Sequence, residues 1–142
     1  MRRITTIATR LLAGLAVAAA VTAATPSAQA APRVALPEGV FRLANGQPCP
    51  WATLCLYRDY NRSGPAYGVR AGFDVDLFDL PMPGGVGGSS TAANNISSWV
   101  NRTGSTAVLV DLRRIRIRLL LPGRSLEEPP GDNDTVDFLR WR

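Results

Sequence analysis

Apolar and polar positions alternate over residues 72–80 (GFDVDLFDL), with Phe73, Val75 and Leu77 on one face and Asp74 and Asp76 on the other. That period of two predicts a half-buried strand. Residues 114–121 alternate Arg with Ile and close on Pro122-Gly123, predicting a second strand whose Arg114, Arg116 and Arg118 form a stripe on its wet face. Residues 54–57 predict a short apolar strand. Residues 97–101 and 107–111 predict a strand pair around the turn at Thr103-Gly104. Between these lie a turn-rich stretch over 61–65 and the segment PMPGGVGGSS (81–90), whose glycines and prolines predict an exposed loop. No convincing helical period appears after residue 30. Many short strands separated by turns predict an all-β domain, a sandwich or Greek-key barrel.

The first thirty residues follow other rules. Arg2, Arg3 and Arg10 precede an apolar, Ala-rich run over 11–24, and Ala28-Gln29-Ala30 offers small residues where a signal peptidase reads. The run is shorter than the roughly 20 residues that a bilayer span needs. Residues 1–30 are therefore expected to be a cleaved secretory signal, with export by the general or the twin-arginine route left open. Residues 31–46 carry Pro32, Pro37, Gly39 and Gly46 and are expected to be an extended lead-in, followed by one domain over 47–142.

Composition narrows the chemistry. All 16 basic residues among the 142 are Arg, and His is absent. The usual neutral-pH base, the imidazole metal ligand and the Schiff-base amine are thus missing. The expected signal carries three Arg and no acid, so its removal lowers the formal charge from +5 to +2. A nucleic-acid role wants a strongly basic domain and loses its support. Two cysteines in an exported chain, Cys49 and Cys55, predict one disulfide, since two Cys without His cannot complete a zinc shell. Asp74, Asp76 and Asp79 could supply a carboxylate pair for glycoside hydrolysis, but i and i+2 neighbours ordinarily form the wet side of a strand. No catalytic residue is assigned.

Cys49-Pro50, followed after four residues by Cys55-Leu56-Tyr57-Arg58-Asp59-Tyr60-Asn61-Arg62-Ser63-Gly64, resembles the opening of bacterial βγ-crystallin-like secreted proteins. These are classed as peptidase inhibitor family I36, relatives of a streptomycete metalloproteinase inhibitor. The spacing from Tyr57 to Gly64 matches the hairpin of a crystallin Greek key. Residues 94–101 and 133–141 resemble the segments that close the two motifs, and the likeness spans roughly residues 47 to 142. The resemblance implies a single βγ-crystallin-like Greek-key domain. It implies a secreted inhibitor of extracellular proteases, metalloproteases in the first place, that is not an enzyme and has no membrane partner after signal cleavage. A monomer is expected. Two departures stand out: residues 113–121 lack the aromatic and the Gly of a second hairpin, and the further cysteines usual in the family are absent. The reactive site is not identified.

The same likeness implies a calcium double clamp. Its oxygen donors would come from Asn94, Asn95, Ile96, Ser97 and Ser98 in the first motif and from Asn133, Asp134 and Asp137 in the second. Hard oxygen ligands suit Ca2+. Ala93 stands where the first clamp wants a donor, and Asp137 where the second wants a hydroxyl. Binding, if calcium is taken at all, is expected to be weak, and no cofactor is required. The alternative function is a calcium-binding structural module without a protease target.

Overall fold

The computed structural model describes residues 35–85 and 88–142. The expected signal over 1–30 lies outside the described residues. Among the described residues nine strands form two antiparallel sheets: β1 (Val40–Leu43), β2 (Thr53–Asp59), β3 (Ser63–Arg70), β4 (Val75–Asp76), β5 (Ser98–Asn101), β6 (Ala107–Asp111), β7 (Arg116–Leu120), β8 (Ser125–Glu127) and β9 (Phe138–Trp141). The first sheet runs β1-β3-β2-β5-β8 and the second β4-β9-β6-β7. The fold is all-β, as the turn spacing predicts.

The order reveals an internal repeat. β2–β5 and β6–β9 are two four-strand motifs, and the third strand of each (β4, β8) joins the other motif's sheet. The register makes the equivalence explicit. Leu56 is level with Tyr67 and Trp99 in the first sheet, as Leu109 is with Arg118 and Leu139 in the second. One residue on, Tyr57 is level with Ala66 and Ser98, as Val110 is with Ile117 and Phe138.

The main core lies between the sheets and includes Leu54, Leu56, Tyr67, Val69, Trp99, Leu109 and Leu139. A smaller cluster of Leu43, Cys49, Cys55, Tyr57 and Ala66, with Phe41 and Val100 against it, covers the outer face of the first sheet. Strand β2 is buried on both faces for this reason.

Four sequence expectations change. The strand expected over 72–80 shrinks to β4, because Asp76 caps a 3-10 turn at Leu77–Asp79. Residues 40–43 of the lead-in form β1, which pairs with β3; a Pro- and Gly-rich segment is admissible there because β1 is an edge strand. Strands β5 and β6 do not pair with each other, because the turn between them passes from one sheet to the other. The 81–90 loop is also anchored: Met82 is buried, its N–H donates to the Ser90 carbonyl at 2.7 Å, and Arg58 Nη1 reaches the Pro83 carbonyl at 3.0 Å.

Gly64 explains the tight β2–β3 hairpin. It sits at φ +74°, and a Cβ there would collide with the Asp59 carboxylate. The β6–β7 hairpin closes without that glycine. Ile115 takes φ +54°, and Asp111 Oδ1 accepts the Arg114 N–H at 2.9 Å.

Candidate functional site

Cys49 and Cys55 are bonded, with 5.8 Å between their Cα atoms. The bond closes a small loop whose crest, Trp51, is 80% exposed. An aromatic so exposed on a short loop would ordinarily move, but this one is fixed from several sides. Arg102 stacks on the Trp51 ring at 3.9 Å and donates through Nη1 to the Cys49 carbonyl at 2.7 Å. The Ala52 N–H donates to the Arg102 carbonyl, and the Arg102 N–H to the Thr53 carbonyl. Thr53 Oγ1 donates to the Trp51 carbonyl at 3.1 Å. Beside the loop runs a groove of about 720 Å3, lined in part by Gln47, Cys49, Tyr57, Arg62 and Asn101. Burial pushes the Tyr57 hydroxyl above its ordinary pKa, against the pull of nearby Arg62.

The clamp residues form two corners related by the internal repeat. Asn94 and Asp134 occupy matching positions, both at φ +54°. At the first corner Asn94 Nδ2 donates to Asp137 Oδ1 at 2.7 Å, and the Leu112 N–H donates to Asp137 Oδ2 at 2.8 Å. At the second, Ser98 Oγ donates to the Asp59 carbonyl and accepts the Arg62 N–H. Asn133 Nδ2 donates to Asp134 Oδ2 at 2.7 Å, while Asn133 Oδ1 is buried without a partner. Burial, and then repulsion from Asp59, raise the Asp134 carboxyl above its ordinary range. Three residues named from the sequence do other work. Asn95 is buried and donates to the Met82 and Thr91 carbonyls, Ile96 packs in the core, and the Ser97 backbone joins Tyr57 to Glu128.

The corners differ in how their oxygens are engaged. At the first, each Asp137 oxygen already accepts one N–H. The second offers the repelled Asp134 carboxylate and the unpartnered Asn133 oxygen, although the neighbouring Asp59 is already gripped by Arg58 through two bonds of 2.9 Å. Among the described residues no three His, Cys, Asp or Glu side chains cluster as a metal site.

Residues 43–110 match the family model of peptidase inhibitor family I36. Over these residues the chain is similar to that family. A solved structure described as "Evolution of the eye lens beta-gamma-crystallin domain fold" aligns with a TM-score of 0.53 at 18% identity, covering 72% of this chain and 96% of that one. The fold is that of a βγ-crystallin domain. No curated protein matches the chain.

The I36 segment contains the disulfide loop, the β2–β3 hairpin and the first clamp, whereas β7, β8, β9 and the second clamp lie beyond it. The carboxylates considered for hydrolysis are spent differently. Asp76 accepts the Phe78 N–H and caps the short 3-10 turn at Leu77–Asp79, and Asp74 lies 3.6 Å from Arg140. The arginine stripe is wet at Arg114 and Arg116 and turned inward at Arg118. Arg118 shares a row with core residues Leu109 and Leu139 and pairs with the fully buried Glu128 carboxylate, which also accepts Trp99 Nε1 at 2.7 Å. Arg116 and Arg114 both reach Asp132. The acidic partners of the stripe are therefore in the chain itself. Sequence reasoning missed Glu128 and Arg102, because neither lies in a motif and each acts on a residue distant along the chain.

Proposed function

We propose that the protein is an exported, non-enzymatic inhibitor of extracellular proteases, acting on metalloproteases, and that the Cys49–Cys55 loop meets the enzyme. The match of residues 43–110 to the I36 family model supports the inhibitor reading. Among the described residues, no helix is long and apolar enough to cross a membrane. The observation that carries the loop assignment is the fixation of Trp51. The disulfide, the Arg102 stack and four hydrogen bonds to the loop backbone hold an exposed aromatic in one geometry. A loop already ordered does not lose conformational freedom on docking, and Trp is the residue type most enriched among interface anchors. Inhibition of a thermolysin-like protease should therefore fall at least about 30-fold in Trp51→Ala, the roughly 2 kcal/mol of a binding anchor. A variant that inhibits as well as the parent refutes the loop assignment.

The second reading, a calcium-binding structural module, draws on the Asp134 and Asn133 corner. Thermal melts of the protein alone with Ca2+ and with EDTA, set beside that inhibition assay, separate the two. Inhibition by a protein whose melt ignores EDTA supports the inhibitor reading, and a calcium-stabilised protein without inhibition supports the module.

A further inference from the structure

We propose that the protein pairs with a second copy of itself through the outer face of the β4-β9-β6-β7 sheet. That face presents Val110, Ile117, Leu119 and Phe138, with Phe78 edge-on to Phe138 at 6.4 Å. Ile117 is 64% exposed, Phe78 51% and Leu119 49%, a contiguous apolar surface of the kind that marks association sites. The sequence alone led us to expect a monomer.

The other half of the molecule shows that this face is one the fold covers. The positions matching Ile117 and Leu119 are Ala66 and Gly68, and a Cβ at Gly68 would run into the Phe41 ring of β1. There the small residues admit the Phe41 ring and the disulfide loop. On the second sheet the same positions carry large apolar side chains, and no described segment lies over them.

Charge selects the occupant and its orientation. One edge of the bare sheet is acidic, with Asp74, Asp76 and Asp79 at and beside β4, Arg140 standing 3.6 Å from Asp74. The other is basic at the β6–β7 turn, with Arg113 and with Arg114, which Asp132 also meets. The two corners are level: Asp76, Phe138, Val110 and Ile117 form one row across the sheet. A two-fold axis parallel to the strands exchanges the β4 and β7 edges without moving the rows. It lays each acidic corner on its partner's basic corner and the apolar centre on itself, as an isologous contact requires. An axis across the strands would set acid on acid. The preferred pairing is an aligned face-to-face sheet packing.

The test is sedimentation of the processed, disulfide-bonded protein recovered from an exporting host, from nanomolar to high micromolar concentration. A dimer is expected, with a dissociation constant raised at least about tenfold by Leu119→Asp, a surface change that leaves the circular-dichroism spectrum intact. Asp79→Arg should weaken it severalfold, and Asp79→Arg/Arg113→Asp should restore it. A monomer at every concentration overturns the proposal, as does a dimer indifferent to Leu119→Asp. Failure of the paired reversal to restore what the single one lost overturns the strand-parallel axis.

Discussion

The two sheets are built on one plan and finished differently. On the first, the Phe41 ring of edge strand β1 and the disulfide loop lie over the outer face, so β2 is buried on both sides and Ala66 and Gly68 stay small. On the second, the matching face is bare and carries Ile117 and Leu119. The core-facing row differs too: Tyr67 in the first half is replaced in the second by Arg118, held on Glu128. A duplicated Greek key thus tolerates an apolar or a charged filling at one site, provided a buried counter-charge is supplied. What distinguishes the halves is what covers them.

Removing that counter-charge should break the comparison most severely. Arg118→Ala leaves Glu128 buried and unpaired, at a cost of about 3 kcal/mol, or a Tm fall of roughly 15 °C for a domain near this size. Arg118→Leu/Glu128→Leu should recover most of the loss in a thermal melt. Next comes the cover of the first sheet. Cys49→Ala/Cys55→Ala frees a short ring and should cost about 2 kcal/mol in denaturant unfolding, whereas the second sheet has no such staple among the described residues.

A smaller effect separates the matched positions directly. Gly68→Ala must push Phe41 away and should destabilise by at least about 1 kcal/mol. Leu119→Ala, in dilute protein, should stay within about 0.5 kcal/mol. Equal effects would show the two faces to be alike after all. The smallest effect is at Asp134, whose carboxyl is raised by burial and then by Asp59. A carboxyl raised on folding binds more protons folded than unfolded, so its contribution to stability falls as pH rises from the ordinary carboxylate range through the raised value. Asp134→Asn should flatten that part of the profile and leave the neutral-pH protein slightly more stable. Millimolar Ca2+ should shift the parent's Tm by a few degrees at most, as a site with millimolar affinity adds roughly 1.4 kcal/mol at ten times its dissociation constant.

Much of this was legible in the sequence. Residues 54–57 and 107–111 fall inside strands, the cysteines are bonded, and the Tyr57-to-Gly64 spacing marks a real hairpin. The alternation over 114–121 located β7 but not its sense. A period of two says which residues share a face, not which face is buried, and Arg118 points inward only because Glu128 waits there. β8 spans just Ser125–Glu127, too short to show a period, and its pairing with β5 depends on a strand exchange that no local pattern encodes. The clamp segments were legible as a repeat: Asn94 and Asp134 take matching positions, and Asn94 meets Asp137. That the Leu112 N–H also donates to Asp137 depends on a backbone turn distant in sequence.

The inhibitor reading is tested most directly by active-site titration. A thermolysin-like metalloprotease is mixed with increasing amounts of the disulfide-intact protein, residual activity is read, and the mixture is analysed by intact mass. Activity should fall linearly towards zero near one chain per enzyme, with the chain recovered whole. Undiminished activity and a digested chain would contradict the account.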